Sequence, residues 1–469
     1  MMPTFRVIVI GGGPVGLTAA HALHHAGIDF VVLEARDSVV LDQGASLVLA
    51  PHSLRVLHQF GLSKRLSEIG GEMTHLTSFT RDGYQFAEST TLPRIFRKNH
   101  GTAPVYFHRA QLVETIYDGL PPAAKSRYLL GKKLGSIETH DHGVRVTCTD
   151  GSTYEGSMVL GADGVHSKTR TLMRDLALAE GSPPQPQWDD AVPFTAQYRC
   201  FWCSFPRPSA ADVEVGHGSD TQSKDMSVMF LAGQERGWVF LYERIPTGPT
   251  TERMRYTKAD MEAYAARFAD FPVSKMLKVK DVYATRLTEG MANLEEGILA
   301  QWSWGGRIVL AGDACHKFTP NAGRGLNNGM QDVVALCNGL HALLQSSGPD
   351  VAPSKTALAK VFEEYQKVRA APLKADADQS LSQSRMHAWA SPFYQFMARY
   401  VMSRDWVMWF LLNFLGAREI RKALALDYIP ADEPYPDALL RHEVSHQVDI
   451  TTQAEELPQK GAARVGRDL

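Results

Sequence analysis

Short apolar runs that lead directly into a glycine recur along the chain. They are Arg6–Ile10 (RVIVI), residues 158–160 (MVL) and residues 307–311 (RIVLA). Runs without polar alternation are typical of strands that are buried on both faces of a parallel sheet. Behind the first run, residues 17–23 have a helical pattern, and residues 30–33 predict the next strand. The chain therefore predicts an α/β domain that begins with a strand, a helix and a strand.

A different pattern occupies residues 181 to 280. Strand-like runs at 197–203, 226–231 and 238–242 are separated by polar turns, which is typical of an antiparallel sheet. Residues 75–86 and the region to 96 are expected to join this sheet. The sheet would then interrupt the α/β domain and carry a substrate pocket on one face.

The C-terminal third predicts helices. Residues 351–371 form an amphipathic helix pattern that Pro372 is expected to end or kink. The segment 389–415 is rich in aromatic residues, but its apolar run at 406–415 is too short to span a bilayer. We expect a helix buried against the sheet domain or in a dimer interface, and peripheral contact with a membrane is the alternative.

These patterns divide the chain into four parts. The expected boundaries are 1–75, 101–180 and 281–345 for a discontinuous α/β domain, 76–100 and 181–280 for the sheet domain, 346–435 for the helical region, and 436–469 for a polar tail.

The first apolar run leads into a dinucleotide-binding motif. Gly11 permits a tight turn, Gly13 lets the backbone approach a pyrophosphate, and Gly16 lets the helix pack closely on the strand. The phosphates would lie at the helix N-terminus, where unpaired N–H groups favour anions. Glu34 ends the second strand 18 positions after Gly16, near the spacing of a carboxylate that accepts hydrogen bonds from ribose hydroxyls.

Composition and charge narrow the function classes. Of 469 residues, 44% are hydrophobic and 21% are charged, which is ordinary for a globular protein, and the net charge of −2 argues against nucleic-acid binding. The five cysteines are odd in number, and their spacing is not that of a disulfide-bonded protein. The first strand begins too early to leave room for a signal peptide. We therefore expect a cytoplasmic protein. The Cys200 and Cys203 pair is interpreted as structural, since no second pair completes a zinc site.

The other two apolar runs also lead into polar glycine-rich turns. Residues 161–167 (GADGVHS) place Asp163 after one strand, and residues 312–316 (GDACH) place Asp313 at the carboxyl end of another, where α/β sheets bind ligands. Residues 323–329 lead into a helix whose first N–H groups would favour an anion. Asp332 is expected in the first turns of that helix, either as a functional residue or as a partner of its dipole.

Together these motifs resemble the group A flavoprotein monooxygenases, the family of para-hydroxybenzoate hydroxylase. The resemblance covers residues 5–345 and is strongest to a fungal secondary-metabolite branch whose epoxidases act on prenylated indoles and meroterpenoids. It implies a Rossmann-like FAD-binding domain of the GR2 type, interleaved with an antiparallel-sheet substrate domain and followed by C-terminal helices.

The resemblance also implies the FAD contacts. Asp313 would bind the ribityl chain, and the turn at Pro320 would lie over the isoalloxazine. Asp163 would lie near both the pyrophosphate and the nicotinamide, and Arg170 either contacts phosphates or is an ordinary surface arginine. Val48 and Leu326 would contact FAD through the backbone, although packing suffices to explain their apolar side chains. The implied cofactor-binding set is completed by Arg109, Gly323, Gly325 and Asn327.

The implied reaction consumes NAD(P)H and O2 and transfers one oxygen atom from a flavin C4a-hydroperoxide to an electron-rich carbon of a small apolar substrate. No second strand-linked GxGxxG is present, so NAD(P)H is expected to bind transiently. Arg199 and Tyr242 are the candidates for orienting flavin or substrate, and Arg199→Ala is expected to slow oxygenation with FAD retained. A solvent-facing strand position is the alternative for Arg199, and core packing is the alternative for Tyr242.

Several alternatives for the reaction, the nicotinamide and the oligomeric state stay open from the sequence alone. An FAD-dependent dehydrogenase or oxidase shares the fold and is the alternative to a monooxygenase. Epoxidation of a prenyl alkene and hydroxylation of an aromatic or indole ring need the same electrophilic oxygen. The choice between NADH and NADPH, and between a monomer and a homodimer, is not decided by any of these residues.

Overall fold

The structure is a computed structural model, and it describes residues 5–42, 44–181, 188–347, 352–430 and 432–440. The polar tail expected at the C-terminus lies, from residue 441 onward, outside the described residues. The other parts form a mixed α/β fold with a parallel sheet, a large antiparallel sheet and C-terminal helices.

The parallel sheet aligns the three apolar runs. Arg6–Ile10 pairs on one side with Met158–Gly161, which in turn pairs with Ile308–Leu310. In this register Ile10 is opposite Gly161, and Gly161 is opposite Leu310, so the three glycine-rich turns emerge at one edge. The full strand order is Ser303–Trp304, Ile308–Leu310, Met158–Gly161, Arg6–Ile10, Asp29–Leu33 and Tyr128–Leu129, with only Ser303–Trp304 antiparallel to its neighbour.

The antiparallel sheet is larger than residues 181–280 alone. It contains Thr288–Ile298, which pairs with Thr195–Pro206, and the two strands His75–Thr80 and Gln85–Ser89 extend its far edge. The strand order is His316–Lys317, Thr288–Ile298, Thr195–Pro206, Arg236–Arg244, Met226–Ala232, His217–Ser223, His75–Thr80 and Gln85–Ser89, with one parallel pairing, between His217–Ser223 and His75–Thr80.

Side-chain alternation gives this sheet two different faces. On one face Phe201 and Cys203 pack with Phe268 from the region of helix Lys258–Ala266. On the other face Cys200 packs with Phe240 in a cluster that includes Tyr106 of the α/β domain. The second face therefore meets the α/β domain. All five cysteines are buried and free.

Two small sheets complete the α/β part. Ser46–Leu49, Val105–His108 and Gly71–Glu72 form one, and Leu134–His140, Gly143–Cys148 and Thr153–Gly156 form the other. The α-helices are Pro14–His25, Pro51–Gln59, Ser63–Ile69, Thr91–His100, Arg109–Gly119, Pro122–Lys125, Lys168–Ala179, Lys258–Ala266, Val279–Tyr283, Arg324–Ser347, Lys355–His387, Pro392–Phe396, Asp405–Leu411 and Ala417–Arg421.

The C-terminal region differs from two expectations. Helix Lys355–His387 continues through Pro372, so Pro372 does not end it. The segment 389–415 is not a buried helix: it consists of short helices with π-helical turns at Met397–Met402 and Leu412–Gly416, and Trp406 is 73% exposed. In the described part of the chain, no helix combines the length and the apolar character needed to cross a bilayer.

Candidate cofactor and substrate site

A cavity of about 970 Å3 lies between the carboxyl edge of the parallel sheet and the antiparallel sheet. Most residues predicted to bind a cofactor line this main cavity, although they come from distant parts of the sequence. They are Gly11, Gly13, Glu34, Val48, Arg109, Asp163, Asp313, Pro320, Gly323, Gly325 and Leu326. The strand register explains this, because it places the three motif turns side by side.

The three glycines of the first motif have separate structural roles. Gly11 has a φ of +100°, and a Cβ there would lie 2.5 Å from the carbonyl oxygen of Ala162. Gly16 does not line the cavity: a Cβ on it would lie 1.9 Å from the Gly11 carbonyl oxygen, so it serves close packing. A Cβ on Gly13 would meet no atom within 4 Å, which leaves free space at the start of the helix.

That helix start is suited to an anion. Gly13 is the N-cap of helix Pro14–His25, no side chain caps it, and the first turn contains no acidic residue. The N–H groups of the first turn therefore have no partner within the helix. Together with the free space at Gly13, this arrangement can accept a pyrophosphate.

Glu34 supports the glycine turn from the next strand. It is largely buried, and its Oε2 accepts a hydrogen bond of 2.6 Å from the backbone N–H of Gly12, while Oε1 accepts one of 2.9 Å from the backbone N–H of Arg36. Tyr128 donates to the Gly12 carbonyl at 2.8 Å. Sequence reasoning missed Tyr128, because no motif connects it to the turn. Ribose binding by Glu34 stays a prediction.

Asp163 is bound to its own segment. Its carboxylate accepts hydrogen bonds from the hydroxyl of Ser167 at 2.5 Å and from the N–H and hydroxyl of Thr169 at 2.9 and 3.0 Å. Ser167 in turn caps helix Lys168–Ala179. Arg170 is neither at the main cavity nor fully exposed: it donates to the carbonyls of Val165 and Ala314 at 2.8 and 3.0 Å. Its charge therefore stabilises the packing of two motif turns.

The charges around Asp313 favour its ionised form. Burial opposes ionisation, but the hydrogen-bonded ammonium of Lys317 and the guanidinium of Arg109 outweigh it, so the pKa of Asp313 is lowered. Burial lowers the pKa of Arg109, and the guanidinium of Arg109 makes no hydrogen bond to any residue that the structure describes. The main cavity thus offers a carboxylate acceptor beside a cation that has no hydrogen-bonded partner.

The structure corrects the position of Asp332. The helix begins at Arg324, so Asp332 is buried in its interior and is not a partner of the helix dipole. Its carboxylate accepts hydrogen bonds from His316 Nε2 at 2.5 Å, Arg369 Nε at 2.9 Å and the N–H of Gly312 at 3.0 Å. The ionic partners lower the pKa of Asp332 to about 2 despite its burial. Asp332 therefore holds the turn that carries Asp313.

The same cluster has the donor atoms of a metal site. Ligand atoms of Cys315, His316 and Asp332 lie within 4.8 Å of one another. However, the carboxylate of Asp332 already pairs with Arg369, and burial raises the pKa of the Cys315 thiol. The cluster is therefore satisfied by protein groups.

Asn327 acts behind the cavity wall. Its side-chain amide donates to the carbonyls of Val48 at 2.8 Å and Gly323 at 2.6 Å and accepts from the N–H of Ala50 at 2.9 Å. It thereby joins the strand Ser46–Leu49 to the turn before helix Arg324–Ser347. This one amide therefore holds the strand and the turn against each other, and Val48 and Gly323 of these two segments both line the main cavity.

The antiparallel sheet forms the other wall of the main cavity, and this wall is apolar. It is lined by Cys200, Trp202, Met229, Leu231, Phe240 and Leu294. No charged side chain comes from these positions, so the wall suits an apolar ligand and repels water.

The two catalytic candidates lie on opposite faces of that sheet. Arg199 faces away from the cavity, where it donates to Glu243 at 2.9 and 2.7 Å and lies 5.2 Å from the ring centroid of Tyr264. This placement argues against the role that the sequence suggested for Arg199. Tyr242 lies on the same face of the sheet as the cavity-lining Phe240 but does not itself line the cavity, and its buried hydroxyl has no hydrogen-bond partner among the described residues.

The residues of the first wall fit FAD. The uncapped helix start at Gly13 can hold the pyrophosphate, and Asp313 can accept hydrogen bonds from the hydroxyls of a polyol. Arg109 supplies a positive charge for the anionic cofactor. The volume of about 970 Å3 is at the upper end of the range for ligand sites, which leaves room for a second ligand at the apolar wall.

Comparisons with known proteins agree with this geometry. The profile of the family described as "FAD binding domain" matches residues 4–183 and 250–353. The chain is 34% identical over 401 residues to FAD-dependent monooxygenase ausM of Penicillium brasilianum, covering 84% of this chain and 82% of the relative. It is 33% identical over 422 residues to FAD-dependent monooxygenase srdH of Neurospora crassa, covering 88% and 90%.

Solved structures share the fold at lower identity. HpxO of Klebsiella pneumoniae, complexed with FAD and uric acid, aligns with a TM-score of 0.65 at 21% identity and covers 90% of this chain and 96% of its own. CtdE in complex with FAD and a substrate aligns with a TM-score of 0.66 at 17% identity and covers 89% and 99%.

Proposed function

We propose that this chain, which belongs to the family of FAD-dependent monooxygenases, transfers one oxygen atom of dioxygen to an electron-rich carbon of a large apolar metabolite. One observation carries the proposal. The apolar wall formed by the antiparallel sheet and the polar wall that fits FAD enclose the same cavity. An apolar substrate on the first wall therefore lies beside the cofactor on the second.

The cofactor and the protein have different tasks. Bound FAD supplies the redox chemistry, since it takes electrons from NAD(P)H and activates dioxygen. The glycine turn at Gly11 and Gly13 and the start of its helix hold the phosphates, and Asp313 accepts hydrogen bonds from the polyol. Asn327 and Asp332 hold the loops that carry these groups.

The substrate wall contributes exclusion of water and positioning. Trp202, Met229 and Phe240 present apolar surface to the cavity, so water is displaced when an apolar substrate binds. Exclusion of water protects a reactive oxygen donor from decay, and a fixed substrate position supplies much of the rate gain. This reaction needs few acid or base groups at the substrate.

The substrate class is an alkene or an electron-rich ring of a fungal secondary metabolite. The relatives ausM and srdH, at 34% and 33% identity, come from fungi, and the cavity wall is large and apolar. Epoxidation of a prenyl group and hydroxylation of an aromatic or indole ring both fit this wall, because both proceed by attack of an electron-rich carbon on an electrophilic oxygen.

Tyr242 is the polar group that we assign to substrate orientation. Its hydroxyl is buried on the same face of the sheet as the cavity-lining Phe240, one layer away from the cavity surface itself, and burial raises its pKa well above the ordinary value, so it is a neutral donor. A buried hydroxyl without a partner loses stability that a substrate oxygen would restore. Tyr242→Phe would then weaken binding of an oxygen-bearing substrate but not of its deoxy analogue.

Isotope incorporation tests the proposed reaction. Purified enzyme is supplied with NAD(P)H, 18O2 and a panel of prenylated indoles, prenylated phenols and quinolones. We expect one 18O atom in the product and faster flavin reduction with the true substrate. Oxidation of the substrate with no 18O incorporated, or turnover that continues without dioxygen, would contradict the proposal.

The exposed aromatic segment 389–415 suggests where the enzyme acts. Its exposed side chains are Phe393, Phe396, Tyr400, Trp406, Trp409, Phe410, Phe414 and Leu415. This segment itself carries two basic residues and one acidic one, and the following residues 416–422 add three basic residues and one acidic one, in a chain of net charge −2. Exposed aromatics with basic neighbours are typical of surfaces that bind anionic lipid. We propose that the enzyme binds the cytoplasmic surface of a membrane through this segment.

Co-sedimentation with vesicles tests the location. The protein should pellet with phosphatidylcholine vesicles that contain phosphatidylserine, and Trp406→Ser with Phe410→Ser should stay in solution. Tyr84→Ser, which removes an aromatic residue that is 59% exposed elsewhere, is the control. A dimer in sedimentation analysis that dissociates in the double variant, without vesicle binding by the native protein, would identify a protein interface instead.

A further inference from the structure

One aromatic residue of the substrate wall lies over a glycine. Trp202, on strand Thr195–Pro206, is directly opposite Gly290 of strand Thr288–Ile298. Residues that face each other in a sheet project to the same side. A Cβ on Gly290 would lie 2.6 Å from Cζ2, 2.7 Å from Cε2 and 3.0 Å from Nε1 of Trp202. The indole therefore covers the Gly290 backbone and occupies the space that a side chain there would need.

The neighbours of this pair show which side of the sheet the indole is on. On its other neighbouring strand Trp202 is opposite Phe240, and both side chains line the main cavity. Met291, the residue after Gly290, is opposite Phe201 and packs against the cluster on the other face that contains Phe201. A side chain at position 290 would therefore project on the cavity side and push the indole into the cavity.

A glycine on the other face of the sheet offers a comparison. A Cβ on Gly237 would lie 2.4 Å from Cε2 of Phe205, which is fully buried in the core on that face. There the glycine makes room for a core side chain. Trp202, by contrast, is only partly buried and lines the main cavity. A glycine inside a strand weakens the strand and often marks a place where a ligand comes close. The room at Gly290 therefore serves the cavity more than the core.

The indole offers a flat surface to a ligand. One of its faces rests on Gly290, so the opposite face is the one that a molecule in the cavity meets. The indole N–H makes no hydrogen bond to any residue that the structure describes, and it is not sealed from the cavity. Aromatic rings favour offset stacking on one another, in addition to the area they bury. A planar ring system in the cavity can therefore stack on Trp202.

We infer that Gly290 is a positioning residue that determines the width of the substrate pocket, because it lets the indole of Trp202 lie flat on the sheet. The pocket then accepts a planar group of fused rings, which stacks on the indole. A larger residue at position 290 would raise the indole and exclude that group, while a narrower substrate would still bind. The inference rests on the proposed function, since it requires that the substrate binds on the apolar wall.

A double-mutant cycle tests this pair of residues. Gly290→Ala, Trp202→Val and the double variant are compared with the native enzyme, each loaded with FAD. The probes are a prenylated phenol, with a single ring, and a prenylated carbazole, with fused rings. Calorimetry without NAD(P)H gives the dissociation constant of each probe independently of activity. Gly237→Ala is the matched control, because its added methyl group crowds Phe205 on the other face of the same sheet.

In Gly290→Ala the dissociation constant of the carbazole should rise on the order of tenfold or more, because the raised indole excludes the wider ligand. The dissociation constant of the phenol should stay within about twofold of the native value. In the Trp202→Val background, Gly290→Ala should change neither constant, since the indole that it displaces is absent. Gly237→Ala should lower the melting temperature but leave the ratio of the two constants unchanged.

Two results of the cycle would overturn the inference: equal changes for both probes in Gly290→Ala, or the same change with and without the indole. A crystal structure of Gly290→Ala in which the indole has not moved would also overturn it. If neither probe binds to the native enzyme, the apolar wall is not a substrate site. The proposed function then fails, and Gly290 has only a packing role.

Discussion

The two walls of the main cavity depend on different kinds of interaction. The cofactor wall consists of glycine turns and polar groups, and hydrogen bonds between specific atoms hold its turns, such as those of Glu34 to Gly12 and of Asp332 to Gly312. The substrate wall consists of apolar side chains that alternate along strands, such as Met229 and Leu231. On the cofactor wall, the identity of each residue determines whether the chain folds and binds the cofactor. On the substrate wall, the identity of each residue determines the shape and size of the molecule that can bind.

This difference follows from the directionality of the forces. Hydrogen bonds and close backbone contacts depend on single atoms, so a one-atom change on the cofactor wall breaks them. Apolar contact is not directional and depends on buried area, so the substrate wall tolerates replacements that keep its volume. The cofactor wall thus carries the chemistry of the family, and the substrate wall determines the choice of substrate.

The sharpest contrast lies within the first glycine motif. Gly16→Val should abolish folding of the soluble enzyme, because its side chain would overlap the Gly11 carbonyl oxygen, which lies 1.9 Å from the Cβ position. Gly13→Ala should leave the melting temperature of the apoprotein unchanged and lower FAD affinity, because its Cβ meets only free space where the phosphates bind. Thermal melts and flavin content check both. Normal FAD content in Gly13→Ala would show that the phosphates lie elsewhere.

Asp332→Asn should cost about 2 to 3 kcal/mol of unfolding free energy at neutral pH, the equivalent of the lowered pKa. The sign follows from the ionised form: its stabilisation is complete above the unfolded pKa of about 4 and is lost as pH falls toward about 2. Urea unfolding of the native protein and the variant at several pH values measures the difference. A difference that stays constant from pH 7 to pH 3 would contradict the role of the carboxylate.

Met229→Ala should weaken substrate binding about tenfold, since a shortened side chain removes about 1 to 2 kcal/mol of apolar contact. FAD content should not change. Met226→Ala is the matched control, because Met226 lies on the same strand but packs against the opposite face of the sheet. Steady-state KM and kcat for the identified substrate measure the effect. Equal effects of the two variants would place the substrate outside this wall.

Arg199→Ala should have the smallest effect on turnover. Arg199 pairs with Glu243 away from the cavity, and Arg267 also pairs with Glu243, so one cation remains when Arg199 is removed. We expect a loss of about 1 kcal/mol or less in stability and a kcat within about twofold of the native value. Chemical unfolding and flavin-reduction kinetics check this. A large loss of oxygenation rate with normal stability would restore Arg199 to the catalytic site.

Much of the cofactor wall was predictable because its signals are local. The turn at Gly11 to Gly16 follows directly from one strand, and the same holds for the turns at Asp163 and Asp313. Each motif joins a buried apolar run to a glycine within a few residues, so periodicity and turn chemistry suffice to find it. Neither Tyr128 nor Arg369 belongs to such a motif, and both were therefore missed.

The class of fold, the dinucleotide turn and the apolar character of the sheet were predictable because they depend on periodicity and on residues close in the chain. The folded chain was needed to show that Arg199 and Tyr242 face opposite ways, that Asp332 pairs with Arg369, and that the aromatic segment 389–415 stays exposed. Strand register and helix packing bring together atoms that are far apart in sequence. A local pattern contains no information about which of those atoms meet.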